Sequence, residues 1–157
     1  MEQDDAFLAR AVELAAHGSE AGDGGPFGAV IVKNGTIIGE GWNRVVAAND
    51  PTAHAEINAI RAACAALASF HLPGCTLYAS SEPCPMCLAA AYWARIERIV
   101  FANSRTEAAA IGFCDDDLYR ELGRDLAARH IVMEHHPLPA ALEPLRRWAS
   151  DPGRTPY

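Results

Sequence analysis

No run of apolar residues in this chain approaches the length needed to cross a bilayer. The start, Met1-Glu2-Gln3-Asp4-Asp5, is acidic and leads into an amphipathic pattern. A secretory signal would need a basic start and an apolar run, so none is expected. Cysteine occurs five times, an odd count that argues against a disulfide framework. A cytoplasmic, reducing location is the expectation. Basic residues are scarce, with 13 Lys and Arg against 20 Asp and Glu and a formal net charge of -7. Proteins that grip tRNA normally carry a basic footprint for phosphates. Here the basic residues are dispersed apart from Arg146-Arg147, which makes nucleic acid an unlikely partner. No internal repeat or low-complexity tract breaks the chain. The glycine-rich Gly22-Asp23-Gly24-Gly25-Pro26 lacks a phosphate-binding pattern and reads as backbone that passes close to something. At 157 residues, 50% hydrophobic and 21% charged, the composition is that of one soluble globular domain. That domain is expected over 1–149, with a tail over 150–157.

Against this plain background two motifs stand out. Pro51-Thr52-Ala53-His54-Ala55-Glu56 contains H-x-E, and Ser81-Glu82-Pro83-Cys84-Pro85-Met86-Cys87 contains P-C-x-x-C. One His and two Cys suffice to hold a tetrahedral zinc and leave its fourth position open, which is the catalytic arrangement. Zinc lowers the pKa of bound water to about 7, so hydroxide becomes available at neutral pH. A non-ligand carboxylate, Glu56, is then free to move protons. Residues i and i+2 do not share a helix face. His54 and Glu56 therefore serve one site only from a helix's first turn, and Asp50-Pro51-Thr52 is a helix-start cluster. Pro83 and Pro85 mark a second helix start around Cys84, where a helix N-terminus favours the thiolate. Either motif alone is weak, since C-x-x-C also serves as a redox pair. A closed structural zinc needs a fourth ligand, and Cys64, Cys75 and Cys114 have no suitable spacing to one another.

The rest of the chain reads as helices and strands in alternation. Helices are expected over 4–21, 54–67, 85–94, 106–111, 118–122 and 140–149. Strands are expected over 27–33, 36–42, 75–80 and 98–102, with a short edge strand at Ile131-Val132-Met133-Glu134. Asn34-Gly35 signals a hairpin between the first two strands. The pattern predicts a layered α/β domain, with ligands outside the carboxyl ends of strands. Asn43 either turns the chain or offers its amide, both donor and acceptor, to a ring edge. Asp115-Asp116-Asp117 is either a solvated helix start or the source of a second carboxylate at the site. Trp93 reads as a core or dimer contact. The tail is a frayed end or a semi-rigid lid ending on Tyr157.

These motifs resemble those of zinc nucleobase deaminases, the cytidine deaminase-like superfamily. Gly24 to Val32, Asn49 to Glu56, Glu82 to Cys87, Ala91 to Arg95, Gly112-Phe113 with its nearby Asp, and the terminal Tyr extend the likeness to bacterial guanine deaminases of that fold. The resemblance implies a three-layer α/β/α fold with a mixed sheet of about five strands. It implies one Zn2+ per subunit on His54, Cys84 and Cys87, and Glu56 as proton shuttle. Phe27 would pack on the purine, Asn43 would hydrogen-bond it, and Ala55 would lie against it. Asp115 matches the second acid, although Cys114 stands where an acid is expected, and this leaves Asp115 and Asp116 both open. Ser81 stands where some relatives carry Cys. A homodimer is implied, with exchanged C-terminal segments that bring Trp93 and Tyr157 to the partner's site. The implied reaction is hydrolysis of guanine, a free purine base, to xanthine and ammonia. Guanine offers N1–H and N2–H₂ donors on one edge, and a carboxylate accepts two such bonds. The alternatives are tRNA adenosine deamination, or deamination of an amino-azine such as ammeline or cytosine. A zinc-stapled binding module without catalysis is the reading from another class.

Overall fold

The computed structural model describes residues 2–157. The chain divides into two compact units, Met1–Arg120 and Glu121–Tyr157.

The first unit is built on a sheet of four strands: β1 (Gly28–Lys33), β2 (Thr36–Trp42), β3 (Cys75–Ser81) and β4 (Arg98–Asn103), in the order β2-β1-β3-β4. Strand β1 runs antiparallel to both neighbours, whereas β3 and β4 are parallel. The sheet is therefore mixed, as expected. Asn34 and Gly35, both at positive φ, make the β1–β2 turn. Strand β1 is buried on both faces because helices cover both. Val30 and Val32 meet Leu14 of α1 (Glu2–Glu20) on one side. Ala29 and Ile31 meet the alanines of α3 (Ala55–Leu67) on the other.

Helix α3 buries Ala55, Ala59 and Ala63 rather than the larger Ile57 and Leu67 that periodicity favours. The reason lies opposite. A Cβ on Gly39 would come within 2.5 Å of the Ala59 carbonyl, and one on Gly41 within 2.5 Å of the Ala59 nitrogen. Glycine on the strand and alanine on the helix let α3 lie almost against β2. That close seat fixes the height of the α3 N-terminus, where His54 and Glu56 stand. Helix α4 (Pro85–Trp93) follows β3, and the remaining helices of this unit are α2 (Val45–Ala48), α5 (Arg105–Ala110) and the start of α6 (Asp115–Leu122).

The second unit contains the end of α6, two 3-10 turns (Leu126–Ala128 and Pro139–Ala141) and α7 (Leu142–Ser150). The expected fifth strand does not form. Ile131 to Glu134 is irregular and exposed. A strand exists only within a ladder, and no described segment pairs with it. The four-residue α2, in turn, was not expected, being too short to show periodicity.

Candidate active site

Strands β2 and β3 flank β1 and end at the same edge of the sheet. A cavity of about 340 Å³ opens there, within the size range of small-molecule sites. Its floor is made by two helix starts. His54 is the N-cap of α3 and Cys84 the N-cap of α4, each in extended backbone with its side chain free of capping duty. Pro85 fills the first position of α4, where a missing N–H costs nothing. Cys87 lies a turn inside α4 and is fully buried. The Sγ atoms of Cys84 and Cys87 each lie 3.5 Å from His54 Nδ1, and the three ligand atoms all fall within 4.8 Å of one another.

Those distances suit a metal. Tetrahedral Zn–S and Zn–N bonds of ordinary length set S and N about 3.5 Å apart. The electrostatics agree. The hydrogen bond from Cys87, assisted by His54, pulls the Cys84 thiol down to about 4 against the opposing effect of burial. The same bond, with burial and the nearby Glu56 charge, pushes the Cys87 thiol far up. The contact with Cys84 raises His54. Three donors so close cannot all present lone pairs to one another comfortably, and a dication relieves that crowding.

Glu56, one residue into α3, is 7% exposed and lines the cavity beside these donors. Burial pushes its carboxyl up to about 7. A carboxyl in that range takes and gives protons near neutrality. Ala55 between the two has its side chain in the core and does not line the cavity.

The rim comes from loops. Asn43 is 5% exposed, and its Oδ1 accepts from the backbone N–H of Gly25 (3.3 Å) and of Val45 (3.1 Å). Two N–H donors can only meet the oxygen, so the amide orientation is fixed. Its acceptor is spent on the protein, and its NH₂ remains for a ligand. A Cβ on Gly24 would collide with that Oδ1, which accounts for glycine there. Phe27 lines the cavity with Phe113 set edge-on to it, ring centroids 4.7 Å apart at 87°.

Of the three acids at the start of α6, Asp115 lines the cavity. Burial and the Cys84 charge raise its carboxyl. Asp116 instead pairs with Arg105 (3.6 Å) and Arg120 (2.8 Å), and Asp117 pairs with Arg120. Trp93, the last residue of α4, is 62% exposed and does not line the cavity. Tyr157 lies exposed in the second unit.

Residues 1–103 match the family described as the cytidine and deoxycytidylate deaminase zinc-binding region. The chain belongs to that family. It is similar to the guanine deaminase of Bacillus subtilis, at 49% identity over 96% of this chain and 97% of that protein. The crystal structure of the Bacillus subtilis enzyme superposes with a TM-score of 0.94 at 48% identity, covering 98% of each chain. The tRNA-specific adenosine deaminase of Haemophilus influenzae is 42% identical over 73% of this chain and 69% of its own. A guanine deaminase structure from Nitrosomonas europaea gives a TM-score of 0.66 at 37% identity, covering 70% of this chain and 64% of that one.

The deaminase-family match ends at residue 103, so it spans the cavity floor and not Phe113 or Asp115. Phe113, Ser81 and Glu82 line the cavity without having been assigned a role from sequence. For Phe113 the available signal was Gly112, whose φ of +97° turns the chain so that the next residues reach the cavity. For Ser81 it was its place next to the Cys motif at the end of β3.

Proposed function

We propose that this chain hydrolyses free guanine to xanthine and ammonia, with one zinc per subunit on His54, Cys84 and Cys87. The observation that carries this reading is the pairing of Asp115, an acceptor, with the Asn43 NH₂, a donor, across one cavity floored by Glu56. Likeness to guanine deaminases over nearly the whole chain supports it. Bound zinc supplies an activated water at neutral pH.

The protein's own residues do the rest. Asp115 accepts the N1–H and N2–H₂ edge of guanine, which adenine lacks, and so selects the base. The Asn43 NH₂ donates to an acceptor of the base such as O6 or N7. Phe27, propped by Phe113, packs on the ring face. Glu56 takes a proton from the attacking water and delivers it to a ring nitrogen. It then carries the second proton of that water, from the new hydroxyl, to the C2 amine, which departs as ammonia with Asp115 assisting. The oxygen of water becomes the new carbonyl oxygen, so atoms and charge balance.

The protein acts as a homodimer in the cytoplasm. Two features support this. All five cysteines are free, as a reducing compartment keeps them. The unit Glu121–Tyr157 leaves Ile131, Val132, Leu145 and Trp148 exposed, apolar surface suited to a second copy. Trp93 and Tyr157 would then complete the partner's site. No described helix is long and apolar enough to cross a membrane.

The test is ammonia release by zinc-loaded protein given guanine, guanosine, adenine, cytosine, ammeline or an anticodon stem-loop RNA. Release from guanine, with or without ammeline, supports the reading. Release only from the RNA replaces it with tRNA adenosine deamination, and release only from cytosine or ammeline with an amino-azine substrate.

A further inference from the structure

Asp115 opens a helix that burial does not hold. No residue of α6 is buried, and Gly112 at φ +97° joins it to α5 as a turn with little resistance of its own. Something else must set where Asp115 stands. The polar contacts converge on one side chain. Arg105, at the start of α5, places its backbone N–H 2.9 Å from Glu82 Oε2 and its guanidinium 3.1 Å from Glu82 Oε1. The same guanidinium lies 4.4 Å from the centre of the Tyr119 ring and 3.6 Å from Asp116. The Tyr119 hydroxyl in turn donates to the Pro83 carbonyl at 2.9 Å. Glu82 and Pro83 directly precede Cys84. Both ends of α6 within this unit are thus tied to the loop that carries the cysteine ligand.

We propose that Arg105 and Tyr119 are positioning residues that latch α6 to the Glu82-Pro83 loop and so hold Asp115 over the cavity. An isolated exposed ion pair contributes little. Arg105 differs because one planar fork binds a carboxylate, stacks on an aromatic ring and reaches a second acid together, which lysine cannot reproduce. The latch rests on the role proposed for Asp115 and names what sets that role's geometry.

The test combines Arg105→Ala, Arg105→Lys and Tyr119→Phe with Asp115→Asn. Guanine turnover, zinc content, thermal midpoint and amide exchange over residues 112–120 are measured for each. With Asp115 present, Arg105→Ala should lower kcat/KM by about 10- to 100-fold and by no more than Asp115→Asn does, the scale of a misplaced group. Tyr119→Phe should lower it by about 2- to 10-fold, the loss of one hydrogen bond. Arg105→Lys should recover only a small part. With Asp115→Asn already in place, the same changes should cost less than about twofold, since neighbours acting through one group do not add. Equal losses in both backgrounds, or losses that follow zinc content or thermal midpoint, overturn the proposal. Amide exchange decides it independently of substrate: Arg105→Ala should speed exchange over 112–120 and leave α3 and α4 unchanged. Unchanged exchange overturns the latch even if guanine is the substrate. Faster exchange in a protein inactive on guanine keeps the latch and overturns the guanine reading alone.

Discussion

The floor and the rim of the cavity are held in place by different means. Glu56 belongs to α3, which glycines and alanines seat almost against β2, and Cys87 lies fully buried in the first turn of α4. Asn43 and Asp115 belong to loop and helix-end segments held by hydrogen bonds and ion pairs. The family match covers the floor together with Phe27 and Asn43 of the rim, and stops before Phe113 and Asp115. Rigid packing suits a proton shuttle and a metal triad, whose distances tolerate little error. Loop contacts suit the choice of base, because they change without disturbing the core.

On that division, damage to the floor should abolish the reaction and damage to the rim should redirect or weaken it. The largest effect is expected from Cys84→Ser. It removes one of the three ligands proposed for zinc, so zinc content measured by atomic emission should fall with turnover. Next comes Glu56→Gln, which should keep zinc and lower kcat by about 10²- to 10⁴-fold, the range for a lost acid–base group. Zinc loss in that variant would make Glu56 a ligand. At the rim, Asp115→Asn should lower kcat/KM on guanine by roughly 10- to 100-fold, the worth of hydrogen bonds to a charged group. Zinc content should not change, and unchanged kinetics would remove Asp115 from the mechanism. Gly24→Ala should raise KM by about 3- to 10-fold with kcat nearly kept, since it displaces the Asn43 amide by one bond's worth of geometry. A fall in kcat alone would instead place Asn43 among the groups that act on the reaction itself.

The floor was readable in the sequence for a physical reason. His54 and Glu56 can share a site only from a helix start, and the cap and proline signals around them mark such starts. The hairpin at Asn34-Gly35 and the four strands of the sheet were equally local. The rim was less legible because its answer lies in pairing. Asp115 and Asp116 are alike as sequence, and only the placement of Arg105 and Arg120 shows which one is engaged elsewhere. Asn43 offered a donor and an acceptor until Gly25 and Val45 claimed the oxygen. Ile131 to Glu134 has strand composition, yet a strand needs a neighbour, and sequence composition does not supply one.

The smallest effect expected sets a baseline for the others. Asp4 on α1 accepts from Arg98 (2.9 Å) and from the Tyr78 hydroxyl (2.6 Å), tying α1 to β3 and β4. These bonds, the one from Arg98 first, hold the Asp4 carboxyl well below the usual carboxylate range. A carboxylate whose folded pKa is depressed adds stability above its unfolded value, about 3.9. That stability is lost as pH falls through the folded value. Asp4→Asn should therefore lower the thermal midpoint slightly at pH 7, and the two proteins should converge in strong acid. Asp4 is only partly shielded from solvent, so screening keeps the effect small. Guanine turnover below the melting range should be unchanged. A change in kcat would mean that strain in the sheet reaches the cavity, and losses at the rim could then not be separated from losses in the scaffold.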